Sequence, residues 1–374
     1  MNKVRFGDVV SEVKLNVDRS CNPYAHYVAG DHMDSEDLTI HRYGNFATDD
    51  VGPAFTRIFK PGQILYGSRR TYLKKVAVAS FEGICANTTF VLESKDESVF
   101  DNRLLPFVIL SDKFTQWSIS HSKGSTNPYV LFSDLASFEF TLPPIEEQRV
   151  LADKLWAAYK LKESYKNLLV ATDEMVKSQI IGMFGTLDEP KVDVKRLRDV
   201  VNSSGQYGSN SPATDYELGM PRYIRITDIN DDGSLNDDIR GATDMDRKYK
   251  LMPGDIVFAR TGATVGKTYL HESGDAIYAG YLIKYQMNPQ KIRPAFLMAY
   301  THSRPYYNWV SKTQKVGAQP NISAAQYDSM PVLVPTLQEQ DAFLTIYKQA
   351  DKSKFELRKS IDAIDAVIKS LING

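Results

Sequence analysis

Apolar residues follow two regimes along this chain of 374 residues. Over residues 1–142 and 193–334 they come in short runs broken by Gly, Pro, Asn and Asp. Val76-Ala77-Val78-Ala79, Tyr223-Ile224-Arg225-Ile226 and Asp255-Ile256-Val257-Phe258 read as strands of a mixed sheet. Amphipathic helices are expected at 103–117 and 294–312. Two other stretches, 145–182 and 337–372, contain no proline. In the second, Phe343, Tyr347, Ala350, Lys354, Leu357, Ile361, Ile364, Ile368 and Leu371 alternate spacings of four and three. Eight of those nine are apolar, which is the coiled-coil pattern. The first keeps the same register with Leu151, Leu155, Ala158, Lys162, Tyr165, Leu169, Thr172, Val176 and Gln179, six of them apolar. Thr336 with Glu339 predicts a capping box where the second long helix begins.

The two regimes alternate because the chain repeats itself. Leu142-Pro143-Pro144-Ile145-Glu146-Glu147-Gln148 returns 192 residues later as Val334-Pro335-Thr336-Leu337-Gln338-Glu339-Gln340. At the same offset Pro61-Gly62-Gln63-Ile64-Leu65-Tyr66 returns as Pro253-Gly254-Asp255-Ile256-Val257-Phe258. Arg5-Phe6-Gly7-Asp8-Val9-Val10 returns, one residue out of step, as Arg196-Leu197-Arg198-Asp199-Val200-Val201. The expected organisation is a head at 1–142, a long helix at 143–185, a second head at 186–334 and a second helix at 335–374. Two apolar seams in one chain most simply cover each other, through Leu151, Leu155, Tyr165 and Leu169 on one helix and Phe343, Leu357, Ile361, Ile364 and Ile368 on the other. The fold class is therefore α+β: two mixed α/β heads related by pseudo-twofold symmetry and separated by two long antiparallel helices. At ~1.5 Å per residue each helix spans roughly 54 Å, so a head is expected at each end of a rod; a parallel pair or a dimerisation stalk is the plainer alternative. Lys162 and Lys354 share one heptad slot and are expected to snorkel to water, with a register-setting or partner-contacting role as the alternative.

Composition narrows the function classes. A hydrophobic content of 43% with 24% charged residues is that of a globular protein with proper cores. No apolar run approaches the ~20 residues of a membrane span, and Met1-Asn2-Lys3-Val4-Arg5 leads straight into the repeat, so neither a membrane segment nor a secretory signal is expected. Cys21 and Cys85 both fall in the first copy without counterparts, which argues against a repeated disulfide or cysteine metal site and fits a reducing cytoplasm. Net charge of −1 excludes a uniformly basic coat but leaves room for local basic patches.

Such patches exist. Between residues 60 and 83 five basic residues, Lys60, Arg69, Arg70, Lys74 and Lys75, face one acid, Glu82. Arg69, Arg70, Tyr72, Lys74 and Lys75 follow a Pro-Gly turn and a strand; the second copy offers Arg260, Thr261 and Lys267 at the equivalent loop. Lys123, Ser125 and Asn127 match Lys315, Gln319 and Asn321 as a second pair of polar loops, and Tyr207 lies in a stretch, 203–210, read as a mobile loop that orders on DNA. Asn and Gln suit adenine, while Arg and Lys suit guanine or phosphate. Other motifs carry less. Gly262-Ala263-Thr264-Val265-Gly266-Lys267-Thr268 has three residues between its glycines where a phosphate-binding loop needs four. Asn127-Pro128-Tyr129 is read as a loop before a Leu131-Phe132 strand, not as a methyltransferase signature. His26, His32 and His41 with Asp31 and Asp34 match no metal-ligand spacing, and no metal site is expected.

The whole frame resembles the specificity subunit of type I DNA restriction-modification systems. The resemblance rests on the paired Pro-containing strand ends leading through Glu-Gln into long helices, on the stretch from Pro253 through Arg260 to Lys267, on Tyr223-Ile224-Arg225-Ile226-Thr227-Asp228-Ile229, and on Gly317-Ala318-Gln319-Pro320-Asn321-Ile322-Ser323. It implies that each head is a target recognition domain for one half of a bipartite sequence in double-stranded DNA. It also implies that the helices fix the gap and dock two modification subunits, that S-adenosylmethionine sits on those partners, and that restriction subunits are optional. No catalytic residue is implied in this chain. The first copy departs from the pattern, with Gly67-Ser68-Arg69-Arg70-Thr71-Tyr72 in place of the Ala-Arg-Thr-Gly-Ala-Thr at 259–264. Two other classes compete: a self-contained DNA methyltransferase or nuclease, which lacks a Gly-x-Gly cofactor loop here, and a coiled-coil adaptor that binds proteins only.

Overall fold

The computed structural model describes residues 2–244, 246–314 and 320–374. They form two compact units: Met1–Lys166 with Lys359–Gly374, and Asn167–Arg358. Each unit thus holds one head, one stretch of the first long helix and one stretch of the second.

The heads repeat one topology. In the first, an antiparallel sheet runs Val10–Glu12, Thr89–Ser94, Ile64–Gly67, Val76–Val78; in the second, Gln206–Tyr207, Leu282–Gln286, Asp255–Ala259, Thr268–Leu270. A second layer contains a parallel pair in both, His26–Val28 with Gly83–Ala86 and Arg222–Ile224 with Ala276–Tyr278, which makes the heads mixed as expected. A two-stranded ribbon closes each head by pairing its first strand with its last, Asn2–Arg5 with Glu139–Leu142 and Asp193–Arg196 with Pro331–Val334. The last strand then runs straight into a long helix, Ile145–Phe184 or Leu337–Asn373.

Local chemistry overrode the apolar pattern at four places. The helix expected at 103–117 is broken: Leu105–Leu110 stops at extended Ser111, whose hydroxyl accepts from the Phe114 N–H and starts Asp112–Ser120. The helix expected at 294–312 divides into Pro294–Tyr300 and Arg304–Thr313, with extended Ser303 between them donating to the Tyr300 carbonyl. The strand read at 223–226 ends at Ile224, because Asp228 accepts from the Arg225 N–H and winds the next residues into a helical turn. Leu131-Phe132 is no strand: Asp134 accepts from the Leu131 N–H at the start of the helix Phe132–Ala136.

Within each unit the long helices run antiparallel. In the second unit Phe184 meets Phe343, ring centroids 5.9 Å apart, while Asp173, earlier in the first helix, bonds Lys354, later in the second. In the first unit Leu155 and Ile368 share a core and Lys162 donates to Asp365 at 2.6 Å. Leu155, Phe343 and Ile368 are buried, Leu151 and Ile364 pack against the first core, and Tyr165, Leu169, Leu357 and Ile361 are half-buried. Lys162 and Lys354 do not snorkel to water. Their side chains are 12% and 15% exposed and pair across the seam with Asp365 and Asp173, residues that are themselves repeat equivalents. Burial works against the Lys354 charge, yet the bonds to Asp173 and Asp351 hold its pKa above the ordinary value.

The repeated Glu-Gln motif is a fastening. Gln148 is fully buried: its Oε1 accepts from the Asp101 N–H at 3.0 Å, and its Nε2 donates to the Val99 and Pro143 carbonyls. Gln340, also fully buried, repeats this with the Arg293 N–H at 2.8 Å and the Lys291 and Pro335 carbonyls. Beside the second amide Arg293 is bonded to Asp341. The equivalent positions in the first unit carry the opposite signs, Asp101 and Arg149, but there Asp101 pairs with Arg103 and Arg149 with Glu146. At the start of the second helix Thr336 and Glu339 form the expected reciprocal cap. Among the described residues no helix is long and apolar enough to cross a membrane.

Gln340→Leu leaves one N–H and two carbonyls without their partner, at a cost of about 3 kcal/mol. Thermal melting is expected to show the second unit unfolding earlier, whereas Gln338→Leu, two residues away, leaves the midpoint nearly unchanged.

Candidate nucleic-acid interface

The two polar loops predicted in each head are joined to one another by backbone. In the first, the Arg70 N–H donates to the Pro128 carbonyl at 2.7 Å and the Val130 N–H to the Ser68 carbonyl at 3.0 Å. In the second, Gly262 donates to Pro320 at 3.0 Å and Ile322 to Arg260 at 2.8 Å. Arg69 pairs with Tyr129 and Thr261 with Asn321 as single β-bridges. Every one of these residues lies 192 positions from its counterpart. The sharp turn that follows is also shared. Gly67 donates to the Lys75 carbonyl and Ala259 to the Lys267 carbonyl, closing a short helical turn at Thr71–Leu73 or Gly262–Thr264. That turn needs two left-handed residues. The second head supplies Gly262 and Gly266, at φ of 71° and 87°; the first supplies Arg70 and Lys74, at 49° and 47°.

On this frame the side chains divide. Arg69, Arg70 and Tyr72 are exposed, with the Arg69 guanidinium 5.9 Å from the Tyr129 ring centre. Lys123, Ser125 and Asn127 are exposed on the adjoining loop, where Lys123 pairs with Asp134 at 3.1 Å. In the second head the Arg260 guanidinium lies 4.9 Å from the Tyr207 ring centre, and the Tyr207 hydroxyl accepts from the Ala324 N–H. Thr261 and Asn321 border them through their bridge. The stretch 203–210 is not a free loop, since Gln206–Tyr207 forms the edge strand against Ile283 and Lys284. Three predicted lysines turn inward. Lys74 pairs with Glu36 at 2.8 Å, Lys75 donates to the Gly30 carbonyl, and Lys267 bonds Asp231 and the Ile229 carbonyl. Lys315 and Gln319 lie outside the described residues.

Two exposed aromatics escaped the sequence reading. Tyr129 stands at the repeat equivalent of Asn321, a signal present in the offset alone. Tyr281 is 61% exposed and its carbonyl accepts from the Arg260 N–H, a proximity no local motif announces.

The turn at 262–267 is no phosphate cradle. The Gly262, Val265, Gly266 and Lys267 N–H groups donate to the Pro320, Gly262, Ala259 and Thr264 carbonyls, so none of these four is free for an anion. The histidine cluster does not assemble either: His26 packs on Tyr43 and His32 accepts from the Ala29 N–H. Among the described residues Asp37, His41 and Glu163 come close enough to share an ion, yet the Lys166 ammonium already lies 2.9 Å from both carboxylates. That cluster fastens head to helix. Tyr159 and Lys166 of the first long helix donate to Asp37, and in the second unit Arg358, equivalent to Lys166, pairs with Asp232.

Each head therefore carries one constant backbone bridge bearing its own exposed polar and aromatic side chains, fastened to a long helix. This is a duplicated scaffold, one frame built twice with different side chains upon it. The chain belongs to the family of the type I restriction modification DNA specificity domain, whose model matches residues 38–169 and 189–364. It is 26% identical over 184 residues to the type I restriction enzyme EcoDI specificity subunit of Escherichia coli, a stretch covering 48% of this chain and 40% of that protein. The match thus spans well under half of the curated relative's length. In fold it is similar to a chain from a study of complex assembly and conformational transition in the type I R-M system, with TM-score 0.59, 19% identity, and 99% of this chain and 96% of that one covered. It is likewise similar to the S subunit of a type I restriction-modification system from M. genitalium, with TM-score 0.59, 15% identity and coverage of 99% and 94%.

Burial raises the pKa of Asp37, but bonds from Tyr159, the Thr39 N–H and Lys166 outweigh it and hold the carboxyl at about 2. A folded-state pKa below the ordinary value of 3.8 stabilises the protein above about pH 4, and that contribution is lost as pH falls through about 2. Asp37→Asn is expected to remove about 2 kcal/mol at neutral pH and to flatten the acid limb of stability between about pH 4 and 2, read by urea unfolding.

Proposed function

We propose that this chain is the DNA-specificity subunit of a type I restriction-modification complex. Each head reads one half of a bipartite sequence in double-stranded DNA. The long helices fix the gap and dock two modification subunits, with restriction subunits optional. The chemistry belongs to the partners: the modification subunit binds S-adenosylmethionine and transfers the methyl group, and this chain supplies no catalytic residue.

One observation carries the reading. The same bridge and turn occur in both heads, yet the side chains they present differ: exposed Arg69, Arg70, Tyr72 and Tyr129 in one, and exposed Tyr207 and Asn321 with half-buried Arg260 and Thr261 in the other. Two unlike half-sites require a constant platform with variable side chains. Arg and Asn supply donors for base edges and phosphates, and the tyrosines hold guanidinium groups in place. The inward lysines leave a modest positive surface, suited to a subunit that binds DNA within a larger assembly.

Genome-wide mapping of N6-methyladenine in the host, with and without this gene, tests the reading. Loss of methylation at one motif of two halves with a fixed spacer is expected; unchanged methylation, with the partner modification gene expressed, would overturn it. In the assembled complex, Arg260→Ala is expected to weaken binding of the cognate duplex about tenfold. Tyr207→Leu, which removes the ring beneath that guanidinium, is expected to weaken it about threefold at fixed salt, measured by fluorescence anisotropy.

A further inference from the structure

Lys74 stands in the most basic stretch of the first head, where charge alone marks it as a DNA contact. Its surroundings assign it other work. Its backbone is left-handed at φ 47°, the conformation for which the second head uses Gly266. A side chain at Gly266 would have no room, because a Cβ there would meet the Val310 Cγ1 at 2.9 Å. The first head has the smaller Ser118 at the position of Val310, and the Lys74 side chain is only 19% exposed. The ammonium lies 2.8 Å from Glu36 and 3.7 Å from Asp112. The Lys74 carbonyl accepts from the Glu36 N–H, so backbone and side chain are held by the same residue. Asp112 is held in turn by Asn373 in the last turn of the second long helix: its N–H donates to the Asn373 Oδ1, and the Asn373 amide donates to its carboxylate.

We infer that Lys74 is a positioning residue: its ion pairs with Glu36 and Asp112 hold the turn 69–75 in the left-handed form that glycine gives the second head, and so aim Arg69 and Arg70. The inference rests on the DNA-reading function proposed above and deepens it. Two solutions to one backbone problem follow: a residue without a side chain in one head, and a side chain tethered to two carboxylates in the other.

The test uses the complex assembled with its modification subunits and a duplex carrying its methylated motif. Lys74→Ala keeps a Cβ in the left-handed region and loses both ion pairs, and is expected to weaken binding about tenfold. Lys74→Gly restores the turn and is expected to bind within about twofold of the unaltered complex, with the same salt dependence. Glu36→Gln with Asp112→Asn is expected to weaken binding although it removes two negative charges. A phosphate contact gives the opposite pattern: Gly and Ala equally weak, the slope of log K against log salt smaller by about 0.9, and the acid substitutions tightening binding. That pattern would overturn the inference while leaving the function standing. Absence of sequence-specific binding by the unaltered complex would overturn both. A readout without DNA separates misfolding from misplacement. Hydrogen exchange at the Gly67 and Lys74 N–H groups should rise in Lys74→Ala and not in Lys74→Gly, with melting of the chain unchanged in both; equal exchange in the two variants would contradict the inference.

Discussion

The two fully buried amides, Gln148 and Gln340, are the constraint on which the rest of each unit depends. A primary amide taken out of water is costly unless its donors and acceptor are met, and each of these meets two backbone groups of its head and the carbonyl of the proline just before its own helix. A head that shifted on its helix would break both bonds to the head at once. The bond pattern therefore favours a single geometry at the junction, which the proposed reading of DNA needs more than it needs stability. It also explains why Pro143 and Pro335 precede the helices: their carbonyls are acceptors in the pattern, and a proline there has no N–H of its own to satisfy.

The helices carry their own specification. Leucine and isoleucine along a seam supply attraction but tolerate slippage by a heptad, whereas a lysine that must meet one aspartate does not. Lys162 with Asp365 and Lys354 with Asp173 are the same pair written twice, once in each unit. Outward from these fixed parts the structure becomes permissive. The bridge between the loops at 68–70 and 128–130 is made wholly of backbone, as is that between 260–262 and 320–322, so the side chains it presents are free to change. A platform held by main-chain bonds allows one fold to be redirected to a new sequence without being rebuilt.

Much of this was legible in the sequence, for definite reasons. Long proline-free heptads, a Thr-Glu cap and strands after Pro-Gly turns are local signals, and the chain states each of them twice. The helix breaks at Ser111 and at 301–303 were hidden because the apolar period runs through them, while a serine side chain competes with the helix for backbone bonds. The partners of the lysines were hidden for a different reason. Counting charge between 60 and 83 cannot see Glu36, Gly30 or Asp112, which meet Lys74 and Lys75 only after folding. The inward-facing glutamines carried no polar-core signal at all, since Glu-Gln at a helix start reads as an exposed first turn. Repetition at a fixed offset was the one clue that they mattered.

The central claim is that each head independently reads one half of a target through loops set on a constant frame. Its most direct test is to replace the second head, between the strands Asp193–Arg196 and Pro331–Val334, with the corresponding segment of a family relative. The motif methylated in cells is then mapped. One half of the motif is expected to change while the other half and the gap stay as they were. A change in both halves, or in neither, with the chimaera folded and assembled, would contradict it.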